Sequence, residues 1–234
     1  MKFRGMAHVG MAVLLVHALE ACDSAAPPPT TETAGPAPTA GAPISADAPL
    51  IVAFGDSLFA GYQLAQDEGF APTLQRELAE SGVEAQVFNA GVSGDTSQGG
   101  LGRLDFMLDG LPRTPDLVIV ELGANDMLRG LDPATTRENL TAILTRLDER
   151  GIPFMLAGMV AAPNLGADYA SRFNPIYTDL AARFDVPLYP FVLDGVIGND
   201  ALMLDDGLHP NPQGVEVMAD RIAPLVREAI ADET

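Results

Sequence analysis

A single cysteine, Cys22, stands in the whole chain, so no disulfide can form within it. Histidine is almost as scarce. His8 and His17 lie among the first twenty-one residues, which leaves His209 as the one histidine of the remainder. A zinc site built from His and Cys is excluded on that ground. Basic residues are few as well: 13 Lys and Arg face 32 Asp and Glu, for a formal net charge of −19. A surface so acidic repels nucleic acid and anionic headgroups, and no nucleic-acid partner is expected. Three loop signatures are also missing. No G-x-x-x-x-G-K-[ST] phosphate loop occurs, no G-x-G-x-x-G follows the first strand, and no G-x-S-x-G nucleophile elbow is present. No metal and no organic cofactor is implied.

What is present divides into three stretches. Residues 1–21 have the shape of an export signal: Lys2 and Arg4 lead into a mostly apolar run from Val9 to Leu19, interrupted by His17. That run is about half of the ~20 residues needed to cross a bilayer, which favours a cleaved signal over a permanent anchor. Leu19-Glu20-Ala21-Cys22 resembles a bacterial lipoprotein box, although Glu20 stands where a small neutral residue is usual. Cys22 is therefore a candidate lipid anchor, the only membrane contact expected. The alternative is an ordinary secreted protein with an incidental cysteine. Residues 22–49 are dominated by Pro, Ala and Thr with almost no large apolar side chain, too little to offset the entropy of ordering them. They read as a tether ahead of one folded domain over 50–234, expected to be periplasmic and monomeric.

In that domain short apolar runs alternate with amphipathic segments. LIVAFG (50–55), AQVFNAG (85–91), DLVIVELG (116–123), PFMLAGM (153–159) and VPLYPF (186–191) read as strands. Helices are expected over 71–78, from Asp132-Pro133 to Gly151, over 168–184 with a bend or late start at Pro175, and over 215–230 with a kink at Pro224. Strands separated by helices imply parallel pairing and right-handed crossovers, hence a three-layer α/β/α sandwich. Ligands bind such sheets outside the carboxyl ends of the strands. Three polar turns follow strands directly there: Gly55-Asp56-Ser57, Asn89 to Asp95, and Gly123 to Asp126.

Those turns and the lone histidine carry chemistry. A serine hydroxyl is a poor nucleophile until a base accepts its proton, and imidazole titrates in the right range. Ser57 is the candidate nucleophile and His209 the candidate base. Asp206, three residues before His209, can curl back to the second ring nitrogen, with Asp205 as the competing carboxylate. The oxyanion formed on attack needs donors. The backbone amides of Ser57 and Gly94 and the side-chain amide of Asn125 suit that role, Gly94 because it lacks a Cβ and allows close approach. Each piece has a plainer reading: Asp56-Ser57 as a helix cap, His209 before Pro210 as a turn residue, and the Gly94 and Asn125 segments as common turns. Their convergence on one sheet edge favours the chemical reading.

F-G-D-S-L (54–58), G-V-S-G-D-T-S (91–97), G-A-N-D (123–126) and D-D-G-L-H-P (205–210) resemble the four signature blocks of the GDSL, or SGNH, hydrolases. The likeness spans about Leu50 to Ile230. SGDTSQGGLGRL (93–104), VELGANDMLRG (120–130) and FDVPLYPF (184–191) are similar to the arylesterase and thioesterase/lysophospholipase branch. The resemblance implies a flavodoxin-like sheet of about five parallel strands and a serine esterase acting on aryl or acyl esters, acyl thioesters or lysophospholipids. It maps Ser57, Gly94, Asn125 and His209 onto the family's four named roles, with Asp206 completing the triad. Met127 and Leu128 would flank a shallow substrate groove, or else pack beneath their loop. Acyltransferase or carbohydrate deacetylase activity on the same fold is the alternative function, and a non-catalytic ligand-binding protein the remote one.

Overall fold

The computed structural model describes Ser45 and residues 47–231. The signal segment, Cys22 and nearly all of the 22–49 tether lie outside the described residues. In chain order, β1 spans Leu50–Gly55, α1 Ser57–Ala60, α2 Phe70–Glu80, β2 Gln86–Gly91 and α3 Ser97–Asp109. Then come β3 Leu117–Glu121, α4 Ala124–Leu128, α5 Pro133–Glu149, β4 Phe154–Ala157, α6 Gly166–Phe173 and α7 Pro175–Phe184. β5 Leu188–Tyr189 and α8 Pro212–Ala231 complete the order.

All five strands are parallel, in the order β2-β1-β3-β4-β5. Every residue of β1, β3 and β4 is buried, which requires helices on both faces. One helical layer is α2 packed on α8, and the other is α3, α6 and α7 gathered around α5. The three-layer flavodoxin-like expectation therefore holds. The chain leaves β1 for β2 on one side and returns to β3 on the other, so the topological switch lies between β1 and β3. Register aligns the strand ends there. Gly55 pairs with Gly91 of β2 and with Glu121 of β3.

Several elements differ from the sequence reading. The pattern gave no helix over 97–109, yet α3 is thirteen residues long. Its glycines mask the periodicity and also permit the packing: a Cβ on Gly100 would sit 2.4 Å from Leu122 Cδ1. The helix expected over 168–184 is two, with the break at Asn174, because Pro175 cannot donate a backbone hydrogen bond. The fifth strand pairs over two residues rather than six, since Pro187 and Pro190 bracket Leu188 and Tyr189. Asp132 does cap α5, accepting the Ala134 N–H at 3.0 Å, and α8 runs through Pro224. Every basic side chain among the described residues, His209 aside, is an arginine.

Candidate active site

β1 ends at Gly55 and the chain turns through Asp56 directly into α1. Asp56 Oδ1 accepts the Leu58 N–H at 3.1 Å, so it caps that helix. The capping reading and the nucleophile reading thus describe one and the same turn. Ser57 is the first residue of α1, and its Oγ lies 2.9 Å from His209 Nε2. The loop carrying His209 is closed by a bridge between Met203 and Pro210 and by Leu204 N–H donating to the His209 carbonyl at 2.8 Å. Inside it, Asp206 Oδ1 accepts the Leu208 and His209 N–H groups at 2.9 and 3.0 Å, and Oδ2 lies 2.6 Å from His209 Nδ1. Asp206 rather than Asp205 is the carboxylate this turn presents. Burial pulls the Asp206 carboxyl up, but the two amides, the imidazole hydrogen bond and the charge of His209 outweigh it and hold it at about 2.

Asn125 enters from the other side of the switch point, on α4. Gly123, at φ 120°, is required there twice over. The backbone angle disfavours any side chain, and a Cβ would meet the Tyr177 hydroxyl at 2.3 Å. Asp126, next along, is fully buried and accepts from Ser97 N at 2.7 Å, Ser97 Oγ at 2.5 Å and Thr136 Oγ1 at 3.2 Å. It therefore pins the start of α3 to α4 and α5. The turn bearing Gly94 runs straight into α3, so Asp126 also fixes Gly94 relative to Asn125. Within the chain a Cβ on Gly94 would meet nothing nearer than Arg129 Nη2, at 3.7 Å. Its φ of 85° is the reason for glycine. Arg129 Nη2 donates to the Gly94 carbonyl at 2.6 Å. Arg103 of α3 donates to Asp95 Oδ2 at 2.5 Å and to the Gly55 carbonyl at 2.9 Å, with its guanidinium 4.3 Å from the Phe54 ring centroid.

Beneath Ser57 lie two carboxyls, Asp56, read from the sequence only as a helix cap, and Glu121, which had no assigned role. Asp56 and Glu121 are both fully buried. Asp56 Oδ2 accepts from Asn125 Nδ2 at 3.1 Å, and Glu121 Oε2 accepts the Asp56 N–H at 3.2 Å. Glu121 Oε1 meets no donor among the described residues. Burial, then the charge of Asp56, pushes Glu121 well above the usual carboxylate range. Burial also raises Asp56, to about 6, against the opposing hydrogen bonds of Leu58, Asn125 and Glu121 and the charge of His209. Burial thus favours the protonated form of both carboxyls, against the hydrogen bonds that favour the anion at Asp56. A glutamate closing an otherwise apolar strand was the sequence signal for the pair.

A cavity of about 600 Å³ opens beside this site. Asp56, Ser57, Asn125 and His209 line it, and most of the rest is apolar, including Met127, Leu128, Val160, Phe191, Ile197 and Leu208. Met127 lines the cavity, yet it is buried and its Sδ accepts the Ala162 N–H at 3.1 Å. Leu128 is exposed at the cavity.

Serine, histidine and aspartate in hydrogen-bonded series, at the switch point of a flavodoxin-like parallel sheet, form the arrangement of a serine hydrolase. The chain belongs to the GDSL-like lipase/acylhydrolase family, which matches residues 53–217. It is 39% identical over 173 residues to an arylesterase of Vibrio mimicus, covering 74% of this chain and 86% of that one. It is equally 39% identical over 186 residues to thioesterase 1/protease 1/lysophospholipase L1 of Escherichia coli K12, covering 78% and 87%. Among solved structures, the SGNH-hydrolase esterase AlinE4 is 46% identical, with a TM-score of 0.68 over 79% of this chain and 98% of that chain.

Proposed function

We propose that this protein is a serine esterase that hydrolyses carboxylic esters, aryl or acyl, and acyl thioesters or lysophospholipids of the same acyl type, through an acyl-enzyme. The observation that carries this reading is the unbroken series Asp206–His209–Ser57 opening onto an apolar cavity. Ser57 Oγ attacks the substrate carbonyl carbon while its proton passes to His209 Nε2. Asp206 holds the imidazole by Nδ1 and balances the charge it acquires. The Ser57 and Gly94 amides and the free hydrogen of Asn125 Nδ2 receive the oxyanion, each such donor being worth about 10²–10³ in rate. Collapse breaks the bond to the leaving oxygen or sulfur, which takes the proton from His209. Water then attacks the acyl-enzyme, giving its proton to Nε2, and Ser57 recovers it as the acid departs.

Asp56 is the positioning residue in this scheme. Its anion engages one hydrogen of the Asn125 amide and leaves the other for the oxyanion. The acyl chain would occupy the cavity between Met127, Phe191 and Ile197, which is of ordinary size for a ligand site. The test is hydrolysis of p-nitrophenyl esters from acetyl to palmitoyl by the wild type and by Ser57→Ala. Loss of about 10⁴-fold or more in kcat is expected for the variant. Equal rates in both proteins would remove Ser57 from the mechanism. The same proposal has residues 1–21 directing export and Cys22 carrying lipid, and the mass of the mature amino terminus decides between a lipidated and a plain one.

A further inference from the structure

Both ring nitrogens of His209 are engaged, Nδ1 by Asp206 and Nε2 by Ser57, and neither contact covers a face of the ring. Tyr62 covers one. Its ring centroid lies 4.3 Å from that of His209, with the planes inclined by 34°. The placement comes from the segment that bears the nucleophile. α1 is one turn long, Gly61 closes it in the left-handed region, and the Tyr62 N–H donates back to the Ser57 carbonyl at 3.2 Å. Gln63, next along, holds φ at 59°, a conformation unfavourable for a side chain of its type. Two left-handed residues therefore flank the tyrosine and turn it onto the histidine. Tyr62 is 38% exposed and does not line the acyl cavity, and its hydroxyl makes no hydrogen bond among the described residues. Neither core packing nor a polar contact explains why this strained turn should carry an aromatic ring.

We propose that Tyr62 is a positioning residue whose ring face fixes the plane of His209 and stabilises the imidazolium formed when Ser57 gives up its proton. The inference rests on the Ser57–His209–Asp206 reading. A cation over an aromatic face is favoured, and at a partly exposed site the effect corresponds to about two- to five-fold in an equilibrium or rate. The Asp206 side chain is 35% exposed, so solvent screens its charge and leaves room for a second stabilising group. The groups facing His209 are Asp206 from its own loop, and Asp56 and Ser57 from the junction of β1 and α1. None of them is altered by changing Tyr62.

The experiment compares wild type, Tyr62→Leu, Tyr62→Met, Tyr62→Phe and Ser57→Ala in the full chain, with p-nitrophenyl butyrate as substrate across the pH range. Removing the ring is expected to lower kcat about two- to five-fold with little change in KM. It should also move the acid limb of kcat/KM toward lower pH by about 0.3–0.7 unit, because the imidazolium loses a stabilising face. The acyl-length optimum should stay where it is, and Tyr62→Phe should restore both rate and profile. A Tyr62→Phe variant as impaired as Tyr62→Leu overturns the proposal, as do ring-less variants with unchanged kcat and acid limb. Thermal midpoints taken alongside identify a variant impaired only by unfolding, and Tyr62→Met stands in if Tyr62→Leu is such a case. If Ser57→Ala keeps its activity the whole serine reading fails, whereas an inactive Ser57→Ala with indifferent ring-less variants sinks the Tyr62 role alone.

Discussion

Replacing Glu121 separates two states of the buried carboxyl pair that would otherwise look alike. If Glu121 is protonated in the fold, Glu121→Gln is nearly isosteric and keeps its contact. Its amide oxygen accepts the Asp56 N–H as Glu121 Oε2 does. Stability and kcat should then stay close to wild type. Glu121→Leu removes that contact and leaves the buried Asp56 N–H without a partner, while the Asp56 carboxylate keeps Leu58 and Asn125. An unmatched buried group costs about 1–3 kcal/mol. For a domain of this size each kcal/mol shifts the midpoint by about 2–4 °C, so Glu121→Leu should melt about 2–12 °C lower. Its kcat should fall about tenfold, as Asp56 loses its fixed orientation and Asn125 with it. Thermal unfolding by circular dichroism near neutral pH, with ester hydrolysis alongside, reads both quantities. The pH dependence supplies a third. Asp56 and Glu121 keep their protons to higher pH in the folded chain than in the unfolded one, so the folded state binds more protons over that window. Stability from this source is therefore greatest below the unfolded value, near 4, and declines as pH rises through about 6. Glu121→Gln should flatten that decline. A Gln variant destabilised as severely as the Leu variant would mean that Glu121 is ionised in the fold, and the reasoning from its burial would be wrong.

Two further outcomes follow from the site's surroundings. Gly91→Ala should cost about 1–3 kcal/mol and most of the activity, because the new Cβ would stand 2.2 Å from Ala60 N and 2.6 Å from the Phe59 carbonyl carbon, forcing α1 and Ser57 away; a variant with unchanged midpoint and kcat would refute this. Asp206 has the opposite sign from Asp56: its folded value is depressed to about 2, so its contribution is complete above the unfolded value and disappears as pH falls from about 4 to 2. Asp206→Asn should lack that part of the acid-induced loss, and matching slopes in the two proteins would count against it.

The sequence carried most of the frame because burial on both faces leaves uninterrupted apolar runs, as in β1 and β3, and because Asp132-Pro133 is an unambiguous helix start. It carried Ser57, Asn125, Asp206 and His209 because each sits beside a strand end or in a short turn whose chemistry is local. What escaped was non-local. α3 is defined by how near its glycines let it lie to Leu122, which no periodicity reports. α1 and α4, four and five residues long, are too short to show a period. Glu121 and Asp56 are 65 positions apart and become a pair only when β3 is laid beside β1. Met127 read as either a cavity residue or a packing residue because sequence gives no depth.

Arg103 sets a condition on anyone who would rebuild this enzyme. It grips the Asp95 carboxylate with one edge of its guanidinium and the Gly55 carbonyl with another, while the plane lies over Phe54. A lysine could reach one of these partners as a point charge but could not present the same flat fork. The turn after β1 and the turn after β2 are consequently a single mechanical part, welded by a residue that belongs to neither. Grafting the 91–97 loop from a relative would transplant half of a joint. A loop library there has to hold Gly91, Asp95 and Arg103 fixed together, since each of them bears on the seat of the nucleophile.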